Sequence, residues 1–316
     1  MSQNDQDNVT AASTDSGLSG PLATDALLSL QGPDAAKFLQ GQTTANFNGI
    51  QPLDVRCGAF CDVKGRVIAD FLALVVNQEA ILLRVAADLA EALVQHLGKY
   101  LMFSKAELQA QTVHPWGIIG ANSLGMLGIS ETVDASRAVD TGDGWLVGLS
   151  AQFALWLPQP ESTGAPNALQ PTETETLINS WHLGMIERGD ARVTASTSGR
   201  YLPQDLSYDL AGWVSFDKGC YTGQEIIARL HWRGTAKRRL YRGTVGTELP
   251  TSGATLWRPG ETRGIGSIVT VATTSAGSEV LLETTSDNAG SVLVVAETTQ
   301  EVAVDPEPVF VEPADS

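Results

Sequence analysis

The sequence is short of positive charge, histidine, cysteine and long apolar runs. Its 316 residues hold 20 Lys and Arg against 36 Asp and Glu, a formal charge of −16. Non-specific nucleic-acid affinity comes almost wholly from Lys and Arg, so no direct nucleic-acid partner is expected. No Lys or Arg occurs before Lys37, and the stretch 1–20 is mostly Asn, Gln, Asp, Ser and Thr. A secretory leader needs a basic start and then an apolar run, so a cytoplasmic protein is expected. Apolar runs such as Leu72–Val76 are strand-sized, well under the roughly 20 residues that span a bilayer, and no membrane partner is expected. Cys57, Cys61 and Cys220 are an odd number in a long chain, which fits free thiols in a reducing compartment. The four histidines lie at no metal-ligand spacing, and no metal site is predicted.

What is present is ample core material, 43% hydrophobic residues, in a length that suggests two domains or three small ones. Ala26–Gln31 alternates like a strand, and Gly32-Pro33-Asp34 then predicts a helix to about Gln40. Arg56–Cys61 and Arg66–Val76 read as strands joined by the turn Asp62-Val63-Lys64-Gly65. Another strand is expected at Ile81–Ala86, followed by a helix capped by Asp88 with Leu89, Leu93, His96 and Leu97 on one face. Cys57 and Cys61, four apart on a predicted strand, should share a face in the core. Hairpins mixed with helices in this way indicate an α+β fold.

Further on, Trp145–Leu149 and Phe153–Leu157 read as strands, and Thr172 with Glu175 predicts a capping box for a helix to about Arg188. Leu177, Trp181 and Met185 share one face of that helix. The stretch from Gly189 to Lys218 has little periodicity, and irregular segments of that length are usually functional. Four short β segments follow, Leu240–Val245, Ser267–Thr273, Glu279–Thr284 and Ser291–Glu297, which suggest a small barrel or sandwich. From Gln300 the chain is acidic and Pro-rich and is expected to fray.

The most informative segment is Lys218-Gly219-Cys220-Tyr221-Thr222-Gly223-Gln224-Glu225, leading into a helix. Two glycines, a helix start and Lys218 surround Cys220, and each would favour the thiolate. The alternative is that Cys220 is one more small buried hydrophobe. Glu225 and Arg229 stand at i and i+4 in the stabilising order. Seven of the 20 basic residues, Lys218, Arg229, Arg233, Lys237, Arg238, Arg239 and Arg242, fall between positions 218 and 242 with Glu225 as the one acid. Two readings are open: a solvated surface, or a local anion site that takes a small polycarboxylate or phosphate into a cleft. Trp181 and Glu187 form a third candidate; Trp181 reads either as core or as a ligand platform, and a buried Glu187 would need a partner.

The octapeptide 218–225 resembles the signature of the YgfZ-type folate-binding family, relatives of the glycine-cleavage T-protein. Phe38-Leu39-Gln40-Gly41-Gln42, Cys61-Asp62-Val63-Lys64-Gly65-Arg66, Lys99–Lys105, Ile186-Glu187-Arg188-Gly189 and Tyr201-Leu202-Pro203-Gln204 also resemble family segments, in order along most of the chain. The resemblance implies three subdomains around a central channel that holds tetrahydrofolate or a one-carbon derivative, the last being a β-barrel. The chain is expected to divide into a disordered tail at 1–20, an α+β unit at 21–110, a second at 111–238 that carries the cysteine motif, a β-barrel at 239–310 and a tail at 311–316, as a monomer. The implied function is a folate-binding factor in iron–sulfur cluster assembly or maintenance, with iron–sulfur proteins or assembly factors as partners and an indirect effect on tRNA modification. The alternative is a tetrahydrofolate-dependent aminomethyl- or methyltransferase.

Carried over by residue, the resemblance makes Cys220 the functional thiol, with Lys218, Gly219, Tyr221, Thr222, Gly223, Gln224, Glu225 and Arg229 around it. Trp181 takes a folate-stacking position and Glu187 a pterin-binding one, while Arg233 and Lys237 are expected to hold the glutamate tail. Two departures stand out. Where the T-protein has a pair of acids after its glycine hairpin, this chain has Ala69-Asp70, so transfer chemistry would depend on Asp70 alone. The family's second folate aromatic falls near Asp25–Leu27, where this chain has none.

Overall fold

The computed structural model describes residues 17–120, 125, 135–159, 169–234, 236–246 and 249–311. Sixteen strands and four α-helices are labelled here in chain order among those residues. The first sheet is antiparallel and contains β2 (Asp25–Gln31), β3 (Val55–Cys61), β4 (Val67–Asn77), β5 (Ala80–Ala86) and β6 (Glu107–Ala110), in the order β3-β4-β5-β2-β6. Its inner strands β4, β5 and β2 are largely buried on both faces. Along β4, Phe71, Ala73 and Val75 face the core shared with helices α1 (Ala35–Gln42) and α2 (Ala90–Leu101). The alternate residues Leu72 and Leu74 face a second core with Val147, Leu155, Leu177 and Trp181. A strand buried on both sides reads as a continuous apolar run, as Phe71–Val76 does.

The second core lies against another antiparallel sheet, of β1 (Leu18–Pro21), β7 (Trp116–Ile119), β8 (Val139–Asp140), β9 (Gly144–Ser150) and β10 (Phe153–Pro158), in the order β1-β7-β10-β9-β8. Helix α3 (Thr174–Arg188) packs on it and ends at Gly189, whose φ of 75° closes the helix in the left-handed conformation that favours glycine. The barrel is closed by β11 (Arg238–Val245), β14 (Gly277–Thr285), β13 (Gly266–Thr274), β12 (Thr255–Trp257), β15 (Val292–Val295) and β16 (Glu301–Pro308), in that order around the wall. Asn179 of α3 clasps it, donating to the Thr273 carbonyl at 2.9 Å and accepting from the Thr273 N–H at 2.8 Å.

Several expectations change. Leu18–Pro21 is not tail but pairs with Trp116–Ile119, and Glu301–Pro308 does not fray but pairs with both β11 and β15. Thr172 forms no capping box; its hydroxyl accepts from the Ser19 N–H at 3.2 Å and ties α3 to β1. Asp88 does not cap α2 but accepts from the Ala195 N–H at 3.0 Å. Pro33 and Asp34 precede α1, which starts at Ala35. Cys57 and Cys61 lie in different packing environments, because the register shifts between Phe60 and Cys61.

One barrel residue predicts a pH dependence. Burial pushes the Glu283 carboxyl up to about 7 from an ordinary 4.5, with Arg238 and Ser267 pulling the other way. Between those values the unfolded chain has lost its proton while the native state keeps it, so native stability falls as pH rises through that window. Urea unfolding should show wild type losing stability relative to Glu283→Gln between about pH 5 and pH 8. A constant difference across that range would contradict the assignment.

Candidate functional site

The irregular stretch after α3 is fixed by bonds to the first sheet. Val67 N–H donates to the Tyr201 carbonyl and Gly199 N–H to the Val67 carbonyl, each at 2.8 Å. Val193 N–H donates to Asp70 Oδ2 at 2.6 Å, and the Tyr208 hydroxyl donates to the Ala191 carbonyl at 2.9 Å. These contacts carry Arg192 into the space between the three subdomains. There, Arg192 Nε pairs with Asp70 Oδ1 at 2.5 Å and Nη1 with Asp25 Oδ1 at 3.2 Å, while Arg84 Nε pairs with the same Asp25 oxygen at 2.8 Å. All four side chains are less than a tenth exposed.

Burial opposes ionisation of Asp25, yet Arg84 and Arg192 outweigh it and hold its carboxyl below the usual range. Burial pushes Asp70 up, with Arg192 and the Val193 N–H pulling against it. Arg192 stays protonated, because two carboxylates overcome its desolvation. Its Nη2 is buried with no hydrogen-bond partner. A buried unpaired donor normally needs an explanation.

Two cavities meet this cluster. The larger, of 400 Å³, is walled by Asp25, Arg84 and Ala86 of the first sheet, His182 and Met185 of α3, Arg192 and Thr194, and the barrel segments Leu249–Ser252 and Val269–Val271. The first sheet, α3 and the barrel therefore all contribute to it. The smaller, of 150 Å³, is lined by Cys57, Asp70, Phe71, Arg192 and Trp213 among others, and shares Arg84, Met185 and Arg192 with the first. Burial pushes the Cys57 thiol up to about 12, so Cys57 stands there as an uncharged wall atom.

The expected site residues separate into groups. Asp70 lines the smaller cavity. Trp181 is fully buried in the second core, 6.0 Å edge-to-face from Phe153, with the Arg84 guanidinium 5.9 Å from its ring. Its ring lies so close to Gly117 that a Cβ there would come within 2.9 Å. Trp181 thus buttresses the ion cluster and lines neither cavity. Glu187, expected as a buried carboxylate, is exposed.

The octapeptide lies elsewhere, against α1 and the β3–β4 turn. Lys218 does not face Cys220 as a solvated charge; it is buried and donates to the Thr43 and Ala45 carbonyls at 2.8 and 2.5 Å. Burial pulls its ammonium down to about 8. The Tyr221 ring packs beneath it at 5.0 Å, and the Thr222 hydroxyl bonds Gln42 at 3.4 Å. Gly223 has φ 83° and sits where a Cβ would come within 2.5 Å of the Asp62 carbonyl, so the loop abuts the turn through glycine. Helix α4 (Gln224–Arg233) starts there. Gly219 and Cys220 are exposed, as are Glu225 and Arg229. Cys220 lines neither cavity.

The basic segment does not form one anion site. Arg238 pairs with Glu283 at 2.6 Å, Arg239 with Asp209 at 3.1 Å and Arg242 with Asp305 at 3.9 Å, all from β11, while Lys218 is spent on backbone carbonyls. Arg229, Arg233 and Lys237 are exposed on and just after α4. Sequence reasoning missed Asp25, Arg84 and Arg192. The signal for two charges of the cluster was present: Arg84 interrupts the apolar strand Ile81–Ala86, as Asp70 interrupts Val67–Val76, and a charge inside an apolar strand needs a buried partner.

No protein-family profile matches the chain. A protein of Colwellia psychrerythraea named tRNA-modifying protein YgfZ is 32% identical over 219 residues, covering 68% of this chain and 67% of that one. The protein of the same name from Yersinia enterocolitica is 31% identical over 265 residues, covering 80% of this chain and 79% of its own. The chain belongs to the YgfZ family. Its fold is that of a glycine cleavage system aminomethyltransferase T from Bartonella henselae, with a TM-score of 0.69 at 13% identity over 94% of this chain and 87% of that one. YgfZ membership and the T-protein fold thus stand together with a closed six-strand barrel. Among the described residues, no helix is long and apolar enough to cross a membrane.

Proposed function

We propose that this protein binds a reduced folate, tetrahydrofolate or a one-carbon derivative, in the 400 Å³ cavity, and acts in the cytoplasm in assembly or maintenance of iron–sulfur clusters. The observation that carries the reading is the cavity itself, walled by the first sheet, α3 and the barrel, with the paired Asp25, Arg84 and Arg192 in its wall. Its volume falls in the range of small-molecule sites, about 300 to 1,000 Å³, and its wall joins apolar side chains to a few fixed polar groups, as such sites do. An effect on tRNA then runs through iron–sulfur enzymes; the relatives' name supports a tRNA connection, and a charge of −16 weighs against direct contact.

Turnover is not part of this reading. Asp70 would have to serve as the base of a one-carbon transferase, and each of its oxygens is engaged, by Arg192 and by the Val193 N–H. Cys220 is proposed as the functional thiol, acting toward a partner protein or cluster at the surface rather than on the cavity ligand.

Isothermal titration with tetrahydrofolate tests the site. Wild type should bind, and Met185→Trp, which fills both cavities, should bind at least about tenfold more weakly, a loss of about 1.4 kcal/mol. No binding to wild type, or undiminished binding to the filled variant, would contradict the placement.

A further inference from the structure

Helix α4 buries Ile227 and turns the opposite face outward. At about 100° per residue, Glu225, Ile226, Arg229, Trp232 and Arg233 fall within one arc of about 120°, and all five are exposed. The β3–β4 turn adjoins this face: a Cβ on Gly65 would lie 3.2 Å from the Ile226 side chain. Val63 and Lys64 of that turn are exposed, Val63 at 78%. Trp232 is 67% exposed yet held. Its ring meets His231 edge-on at 4.6 Å, and His231 stacks on Phe216 at 3.6 Å. Phe216 and the start of α4 thus bracket the segment that exposes Cys220.

A tryptophan held ready at the surface offers a large apolar area, and Trp and Arg are the commonest anchors at protein interfaces. Here Val63, Ile226 and Trp232 stand among Lys64, Arg229, Arg233 and, just beyond the helix, Lys237. Among the described residues none of these four cations is in a salt bridge. The exposed acids nearby are Glu225 and Asp217, while Asp62 accepts from the Lys64 and Arg66 N–H groups of its own turn. Four cations against two exposed carboxylates invert the sign of a protein whose formal charge is −16.

Such a face attracts an acidic partner while the rest of the surface repels it, so the attraction also orients the encounter. A nucleic acid fits less well. Its charge runs on past the face onto repelling surface, and Val63 and Ile226 offer no ring for bases to stack on.

We propose that the outer face of α4 and the β3–β4 turn dock an acidic segment of a partner protein, with an apolar side chain seated on Trp232, and so bring that partner to Cys220. The inference rests on the reading of Cys220 as the functional thiol and names the surface and the partner chemistry that serve it. Arg233 and Lys237 line neither cavity, and this role replaces that of holding a folate tail.

The test is the rate at which Cys220 exchanges with two synthetic peptides that differ only in carrying Glu or Lys around a Leu-rich centre, each with its cysteine as a pyridyl disulfide. The Cys220 thiolate attacks the peptide sulfur, a Cys220–peptide disulfide forms, the pyridyl S–S bond breaks, and pyridinethiolate leaves and takes up the proton that Cys220 gave. Absorbance of the released pyridinethione reads the rate. Burial pushes the Cys57 and Cys61 thiols up and keeps them out of the reaction, and Cys220→Ala gives the background. Wild type should react about tenfold faster with the acidic peptide at low salt, an advantage that shrinks at high salt. The two rates should converge in Arg229→Gln/Arg233→Gln, and Trp232→Ala should slow the acidic peptide roughly fivefold. All three substituted side chains are exposed, so the variants should fold, and far-UV circular dichroism checks that they do. The small uncharged reagent dipyridyl disulfide should react alike with all of them, which shows an unaltered thiol. Equal rates for the two peptides in wild type would overturn the docking face and leave the role of Cys220 standing. Preference that survives in the folded Arg229/Arg233 variant would also overturn it. Oligouridylate that blocks the acidic peptide at equimolar amount would make the face a nucleic-acid site and contradict the protein partner. Full activity of Cys220→Ala in cells would bring down both the docking and the reading on which it rests.

Discussion

Replacing Arg192 by methionine should destabilise the protein by about 3 to 5 kcal/mol, the usual consequence of leaving a buried charge without its partner. Arg192 stands between Asp70 and Asp25, and without it Asp70 keeps the Val193 N–H and the field of Arg84. Arg192→Lys should lose less, because the charge remains while the fork that reaches two carboxylates is gone. Adding Asp70→Asn to Arg192→Met should restore much of the loss, since the stranded charge is then removed. Lower pH should narrow the gap between Arg192→Met and wild type, because burial already raises Asp70 and an unpaired Asp70 would take up its proton sooner. Urea unfolding measures all four. An Arg192→Met variant as stable as wild type would mean that the cluster does not hold the subdomains together.

The second large effect is expected in cells. Cys220→Ala should leave folding and folate binding unchanged and abolish function, read as tRNA thiolation in a strain that lacks its own copy of the gene. Cys220 is exposed and outside both cavities. Surface substitutions away from packing features usually shift stability by no more than about 0.5 kcal/mol. Insolubility of this variant would make the thiol a packing group; full activity of a soluble variant would remove it from the function. Lys218→Met should behave differently. It loses the two bonds that fix the loop to Thr43 and Ala45 and should lower stability as well as function.

Much of the scaffold is legible from pattern alone. The turn Asp62–Gly65 joins the two strands that its composition predicts, α3 carries Leu177, Trp181 and Met185 on its buried face, and the change in texture near residue 239 marks the barrel. Edge strands were harder. Leu18–Pro21 and Glu301–Pro308 carry Ser, Gly, Pro and acidic residues, and only a partner strand far along the chain makes them strands.

The site is less legible in the sequence for the same reason. Cys220 and Lys218 share a motif, but Lys218 finds its acceptors 175 residues away, and no local rule points a lysine there. Seven basic residues close in sequence look like one patch, yet β11 sends Arg238, Arg239 and Arg242 to three different carboxylates. Arg192 looked unremarkable inside an irregular stretch. Its role comes from Asp25 and Asp70, two residues of the first sheet that it meets only in the folded chain.

In the proposed function a reduced folate occupies the cavity between the first sheet, α3 and the barrel, away from the exposed thiol. A crystal structure of the protein soaked with tetrahydrofolate decides whether it does. The pterin should lie beside Met185 and the Asp25, Arg84 and Arg192 side chains, with Cys220 outside contact. A pterin seated against Cys220, or a cavity left empty while folate binds elsewhere, would contradict it.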